Sequence, residues 1–153
     1  MLELDSTPTL ALDDTDGRSF VIEDYRDRES VYIYFMRALS CAQCNAAVQN
    51  MAKNRADFAA ANVAVLIAVP EDPADAAAWK AKKNIPFPVV VGRAGTAHAE
   101  VGLLRKVFGA IQQSGSVLLD KRGVVRYTHV STNPGASYNR NEVAAAISAL
   151  PAS

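Results

Sequence analysis

The stretch VYIYFMRALSCAQCNAA, Val31 to Ala47, decides how this chain is read. It opens with six uncharged residues, Val31 to Met36, that are β-branched, aromatic or otherwise apolar. That composition suits a strand buried on both faces. The chain's two cysteines follow as Cys41-x-x-Cys44. Helix formers come next, with Val48, Met51, Ala52 and Arg55 at helical spacing. Ser40, with Gln43 three residues on, has the form of a capping box. This predicts Ser40 as the N-cap, Cys41 as the first helical residue and Cys44 one turn later on the same side. Both sulfurs then meet the positive end of the helix dipole, which favours thiolate over thiol. A disulfide between them asks for only a small departure from helical geometry. The stretch reads as a redox site at a strand-to-helix junction.

Two other readings of C-x-x-C compete with this one. A zinc site needs a second ligand pair. The chain has no further cysteine, and its two histidines, His98 and His129, stand far apart in sequence. The expectation is therefore no metal and no cofactor. Two inert core cysteines are the other alternative, since free cysteine is often buried. The preceding strand and the cap pattern favour the redox reading.

Composition bounds the rest. The length of 153 residues suits one domain spanning the whole chain. Half the residues are hydrophobic and 21% are charged, ordinary values for a globular protein. The formal net charge is zero, which points to no nucleic-acid and no membrane partner. No apolar run reaches the length of a membrane span. The N-terminal MLELDSTPTL is acidic and lacks a signal-peptide pattern, so the expected location is cytoplasmic. There a cysteine pair is more often reactive than structural.

Along the chain, Thr9 to Leu12 and Ser19 to Ile22 are β-like runs around the turn chemistry of Asp13-Asp14-Thr15-Asp16-Gly17, a predicted hairpin. The cysteine helix is expected to run to about Ala60 and to stop at Asn62. Val63 to Val69 is a second apolar strand, parallel to the first through a crossover. Asp72-Pro73 opens another helix, with Lys80, Lys82 and Lys83 in its last turn and Asn84 closing it. Trp79 is a packing residue on that helix. Val89 to Val91 is a third run. Thr96 caps a predicted helix through Leu104, with His98 as a surface or hydrogen-bonded residue. Ser116 to Asp120 and Val124 to Tyr127 form a second hairpin around Lys121-Arg122-Gly123. Ser131 to Tyr138 is a loop, and Asn141 caps a last helix through Leu150. The expected architecture is α/β, a mixed central sheet with helices on both faces and an N-terminal hairpin.

This order resembles the thioredoxin superfamily. More narrowly it is similar to the peroxiredoxin group, the alkyl hydroperoxide reductase C and thiol-specific antioxidant family. The resemblance runs from about Thr9 to Leu150. It is carried by Asp14-Thr15-Asp16-Gly17, by FMRALSCAQC from Phe35 to Cys44, and by SVLLDKRGVVRY from Ser116 to Tyr127. Laid on the family's site, Arg37 occupies the proline position, Cys41 the threonine position and Cys44 that of the peroxidatic cysteine. Gln113-Ser114-Gly115-Ser116 lacks the arginine that the family places before its late strand. Gly115 stands where thioredoxins carry a cis-proline. Peroxiredoxin-like subgroups with R-x-x-x-C-x-x-C match Arg37 to Cys44.

The resemblance implies a thiol-dependent peroxidase acting on hydrogen peroxide or organic hydroperoxides. In it Cys44 attacks, Cys41 resolves the sulfenic acid as an intramolecular disulfide, and Arg37 stabilises thiolate or leaving oxygen. A reducing dithiol partner such as a thioredoxin-like protein restores the pair, and a homodimer is expected. Two alternatives stay open at this point. One is a thiol–disulfide oxidoreductase in which Cys41 leads and Cys44 resolves. The other is a non-enzymatic binding or sensor module on the same fold.

Overall fold

Side-chain alternation along one strand divides the molecule. Tyr32 and Tyr34 enter one apolar core, while Val31, Ile33 and Phe35 enter another on the opposite face. The computed structural model describes residues 1–106, 109 and 111–151, and of Pro134 the backbone only. In chain order its elements are β1 (Ala11–Asp14), β2 (Ser19–Val21), β3 (Ser30–Phe35), α1 (Ala42–Lys53), α2 (Arg55–Ala60), β4 (Val63–Ala68) and α3 (Pro73–Lys83). There follow β5 (Val89–Gly92), α4 (Ala97–Glu100), β6 (Arg105–Lys106), β7 (Ile111–Gln112), β8 (Ser114–Leu119), β9 (Val125–Ser131) and α5 (Arg140–Ser148).

The main sheet has the order β2-β1-β5-β4-β3-β8-β9. Strands β3, β4 and β5 run parallel, and β1, β2, β8 and β9 add antiparallel pairs. The mixed sheet expected from the sequence is therefore observed. All six residues of β3 are buried, as its uncharged composition implies. The longer helices share one core. Val48 and Met51 of α1, Phe58 of α2, Ala76 and Trp79 of α3 and Val143 of α5 pack with Tyr32 and Tyr34. The opposite face carries the short α4, through Ala97, and the 3-10 turn Ile22–Tyr25. Both faces are covered, but unequally.

The two hairpins close by one device. Asp14 Oδ1 accepts the Asp16 and Arg18 N–H groups, with Gly17 at φ 84°. Asp120 Oδ1 accepts those of Arg122 and Val124, with Gly123 at φ 81°. An aspartate that takes up the turn's own amide groups is why these spacings were legible. The caps of α3 are also those expected, with Asp72 accepting from Asp75 N and Asn84 left-handed.

Four local expectations are corrected. Cys41, not Ser40, is the N-cap of α1. The cysteine helix ends at Lys53; Asn54 interrupts it before α2 completes the segment. The helix begun at Thr96 stops at Glu100, because the chain turns through Gly102 at φ 80°. Asn139, not Asn141, caps α5, its side chain accepting from Glu142 N. The spacing Asn139 to Glu142 is itself a capping-box spacing, and it outranks the later asparagine. Part of the stretch from Lys106 to Gln113 lies outside the described residues.

His98 shows what the second core costs. It is fully buried, its ring meets Phe35 edge to face, and its Nε2 lies 2.6 Å from the Met36 carbonyl oxygen. Burial holds its pKa down to about 4, so the ring is neutral. The unfolded chain would titrate at about 6.5. Native stability drawn from the neutral ring is thus present above pH 6.5 and lost as pH falls towards 4. At about 1.4 kcal/mol per pKa unit, the full loss is about 3 kcal/mol. Urea unfolding of the wild type at pH 7 and pH 4.5 should show most of that difference, and His98→Leu should flatten the slope. An equally steep slope in the variant would remove His98 as the cause.

Candidate active site

The loop from Arg37 to Cys41 leaves the end of β3 and turns into α1 with both sulfurs facing inward. Cys41 is 1% exposed and Cys44 is fully buried. Neither is in a disulfide. Cys41 has extended backbone dihedrals, φ −71° and ψ 112°, and its Sγ accepts the Cys44 N–H at 3.2 Å. A thiol sulfur here does what a serine, threonine or aspartate oxygen does at most helix starts. Its own N–H is taken by the Ala38 carbonyl at 3.1 Å, which shapes the loop into a turn.

Cys44 lies in the first turn of α1 under three donors and acceptors. The Arg37 backbone N–H points at its Sγ across 3.5 Å. Tyr34 and Cys41 act on the same thiol in opposite senses: the Cys41 sulfur favours its protonated form and the Tyr34 hydroxyl its thiolate. Tyr34 Oη also lies 2.6 Å from Ser137 Oγ. Either hydroxyl can donate in that contact.

The electrostatic balance at Cys44 differs from the sequence expectation. Burial pushes its thiol up to about 11, and the hydrogen bond it donates to Cys41 adds to the rise. The Arg37 N–H and the Tyr34 hydroxyl pull the other way but do not win. The helix-terminus argument predicted a lowered pKa, so it is corrected here. In this conformation, removal of water outweighs the dipole and two donors.

The three residues proposed from sequence are brought together. Arg37 meets Cys44 through its backbone N–H. Its guanidinium makes no ion pair or hydrogen bond among the described residues. Sequence reasoning missed Tyr34, which period-two alternation places on the same face as the cysteine helix. It also missed Asn45. The Asn45 side-chain amide donates to the Leu39 and Cys41 carbonyls at 2.8 Å each, and its Oδ1 accepts the Trp79 indole N–H at 2.9 Å. Trp79 is a packing residue as expected, and it also anchors the cysteine loop to α3. Gly115 pairs with Phe35 and Val130, and a Cβ there would collide with the His129 carbonyl oxygen. Close approach of β9 explains the glycine. Among the described residues, no group of three His, Cys, Asp or Glu side chains gathers as a metal site.

Comparison with known proteins agrees with this architecture. The AhpC/TSA family model matches residues 4–128. The chain belongs to the AhpC/TSA family. It is a peroxiredoxin-like thiol peroxidase, an oxidoreductase, by that membership. A Mycobacterium tuberculosis (strain H37Rv) protein carrying the peroxiredoxin name is 29% identical over 139 residues, covering 88% of this chain and 83% of the relative. Peroxidoxin BcpB from Mycobacterium tuberculosis superposes with a TM-score of 0.83 at 16% identity, over 99% of this chain and 100% of that one. Xanthomonas campestris bacterioferritin comigratory protein gives 0.76 at 18% identity, over 97% and 96%. At these identities the structural matches speak to the fold, thioredoxin-like and of peroxiredoxin type.

Two measurements test the site. Alkylation of Cys44 by iodoacetamide, followed by mass, should keep rising from pH 7 to pH 10, because the buried thiol titrates at about 11. Tyr34→Phe removes a donor to the sulfur and should slow alkylation at each pH; a plateau below pH 7.5 would contradict a burial-dominated thiol. Asn45→Ala frees two loop carbonyls and the indole N–H. It should cost roughly 1–2 kcal/mol in urea unfolding and shift Trp79 emission. Unchanged emission would mean that Trp79 does not report on the loop.

Proposed function

We propose that this chain reduces hydrogen peroxide or organic hydroperoxides through Cys44 and Cys41. One observation carries the reading: the two cysteines meet at a helix start, the Cys41 sulfur accepting the Cys44 N–H while the Cys44 sulfur accepts the Arg37 N–H. The Cys44 thiolate attacks the terminal peroxide oxygen. The O–O bond breaks, the leaving oxygen departs as alcohol or water once protonated, and Cys44 becomes a sulfenic acid. The Cys41 thiol then displaces that hydroxyl as water, and the two sulfurs join. An external dithiol of thioredoxin type returns both to thiols by exchange. Donors aimed at the sulfur stabilise negative charge there, which is the kind of preorganisation that lowers such barriers. The Arg37 guanidinium stands beside the loop to stabilise the leaving oxygen.

The closed geometry keeps Cys44 protonated, so reaction begins when water or peroxide enters the loop. Burial is the largest cause of the raised thiol. Solvent entry removes that cause while the helix start and donors remain. Thiol–disulfide exchange calls for an exposed leading cysteine, and Cys41 is only 1% exposed. The Xanthomonas protein is described for alkyl peroxide reduction, which supports organic hydroperoxides as substrates here. Antioxidant activity in cell redox homeostasis, a cytoplasmic setting and a homodimer complete the proposal. No described helix is long and apolar enough to cross a membrane.

Stopped-flow oxidation of the reduced protein by limiting hydrogen peroxide, read by Trp79 fluorescence and by mass, tests this reading. A Cys41–Cys44 disulfide should form far faster than a free thiol oxidises. Cys44→Ser should abolish the reaction, and Cys41→Ser should stop it at the sulfenic acid. Oxidation at the free-thiol rate would overturn the peroxidase.

A further inference from the structure

Beside the cysteine loop lies a polar pocket of about 300 Å³, lined by Arg37, Ala38, Pro70, Glu71, Arg105 and Gln112. We infer that it binds the acidic end of a small co-substrate of the cysteine pair, a molecule carrying a carboxylate and an N–H or O–H donor. The inference rests on the proposed cysteine chemistry and adds to it a substrate class.

Three observations support it. Arg37 and Arg105 bring two guanidinium groups to one pocket; neither makes an ion pair among the described residues, and Arg105 gives one Nη to the Gly109 carbonyl while its other donors stay open. Planar guanidinium groups recognise carboxylates through paired hydrogen bonds. Glu71 anchors the opposite character. Its Oε2 accepts the Leu39 N–H at 2.9 Å, while its Oε1 is buried and lacks a partner among the described residues. A buried acceptor left open calls for a donor. Gln112 is 5% exposed, and its amide nitrogen is committed to the Leu103, Leu104 and Gln113 carbonyls. Its oxygen is the part left to receive a donor. The pocket thus offers two cationic forks and two acceptors, which a bare peroxide does not fill.

The pocket is also mechanically joined to the sulfurs. Arg37 reaches Cys44 through its N–H, Ala38 holds the Cys41 N–H, and Glu71 holds Leu39. A ligand seated there touches the loop that must move for either half-reaction. Its chemistry has two sources. A carboxylated hydroperoxide would enter in the oxidising half, where dithiol plus ROOH gives disulfide, ROH and water. A carboxylated thiol would enter in the reducing half, where disulfide plus two R′SH gives dithiol and R′SSR′.

The test begins with binding, independent of turnover. Glutarate, and glutamate as a carboxylate that also carries an ammonium donor, are titrated by calorimetry into the reduced wild-type protein. Saturable binding should appear, tighter for glutamate, and should weaken roughly tenfold in Arg105→Gln. No saturable binding, or equal binding in the variant, overturns the inference. Two rate comparisons then assign the source. A carboxylated hydroperoxide is compared with its methyl ester for oxidation, and 3-mercaptopropionate with 2-mercaptoethanol for disulfide reduction. A preference of about tenfold for the acid in one half, lost in Arg105→Gln while the rate with hydrogen peroxide holds, identifies that half. No preference in either half overturns the co-substrate assignment. Failure of hydrogen peroxide to oxidise the pair would instead overturn the peroxidase reading and leave the glutarate result standing.

Discussion

Everything at the cysteine pair depends on β3 being buried on both faces. Its neighbours in the sheet are β4 and β8, so its hydrogen bonds are satisfied on either side. Its side chains anchor two cores at once. A strand held this way has no freedom in register, since a slip of one residue would exchange the two cores. The loop that leaves its end inherits that rigidity. Tyr34 points at the sulfur because Tyr32 and Met36 lie in the same core. Met36 is tied to the opposite layer, because His98 meets its carbonyl. The site is fixed from below by the sheet and from the side by Asn45 and Trp79.

That same burial opposes the chemistry. A thiolate is the reactive form, and a dry pocket favours the thiol. Helix start, backbone N–H and tyrosine hydroxyl all favour the anion, yet Cys44 rises to about 11. The resting geometry is thus a protected one, in which the sulfur is hydrogen bonded and shut from solvent. Under the proposed cycle, the polar side of the loop, with Arg37 and Glu71, is where water and reactant meet it. Under the same proposed cycle, protection and reactivity are divided between two states of one loop rather than balanced in a single one.

The sequence made the frame legible where local chemistry and tertiary context agreed. Uncharged β-branched runs gave β3 and β4, and Asp-x-x-Gly turns gave both hairpins. Asp72-Pro73 with Asn84 bounded α3 correctly. It misled where two residues of similar character compete. Ser40 and Cys41 both precede α1, and only the turn closed by Ala38 decides that the sulfur caps. Asn139 and Asn141 pose the same ambiguity. The closeness of Cys41, Cys44 and Arg37 was readable from spacing, but the arginine's contact is made by its backbone, which no side-chain pattern reveals. Burial of Cys44 was invisible for a different reason. It depends on Tyr34, Met36 and α1 closing together, and a dipole argument contains no term for lost water. Glu71 lies far in sequence from Arg105 and Gln112, which pair across β6 and β7, and joins them only in the fold.

Cys41 at the capping position draws these strands together. Where the family carries threonine, this chain has a thiol that accepts the Cys44 N–H. Sulfur is a weaker acceptor than oxygen, so the cap gives up some helix stability. In exchange, the capping atom is itself able to form a bond to the residue it caps. Under the proposed cycle, the atom that orders the first turn in the reduced state becomes covalently joined to that turn in the oxidised state. The helix start and the redox state are then one variable. Asn45 limits how far the change spreads, since it holds the Cys41 carbonyl from within the same helix and passes the load to Trp79. A resolving cysteine elsewhere in the chain would need a larger excursion of the loop. Placing it at the cap keeps the movement within three residues, inside a scaffold whose central strand does not yield.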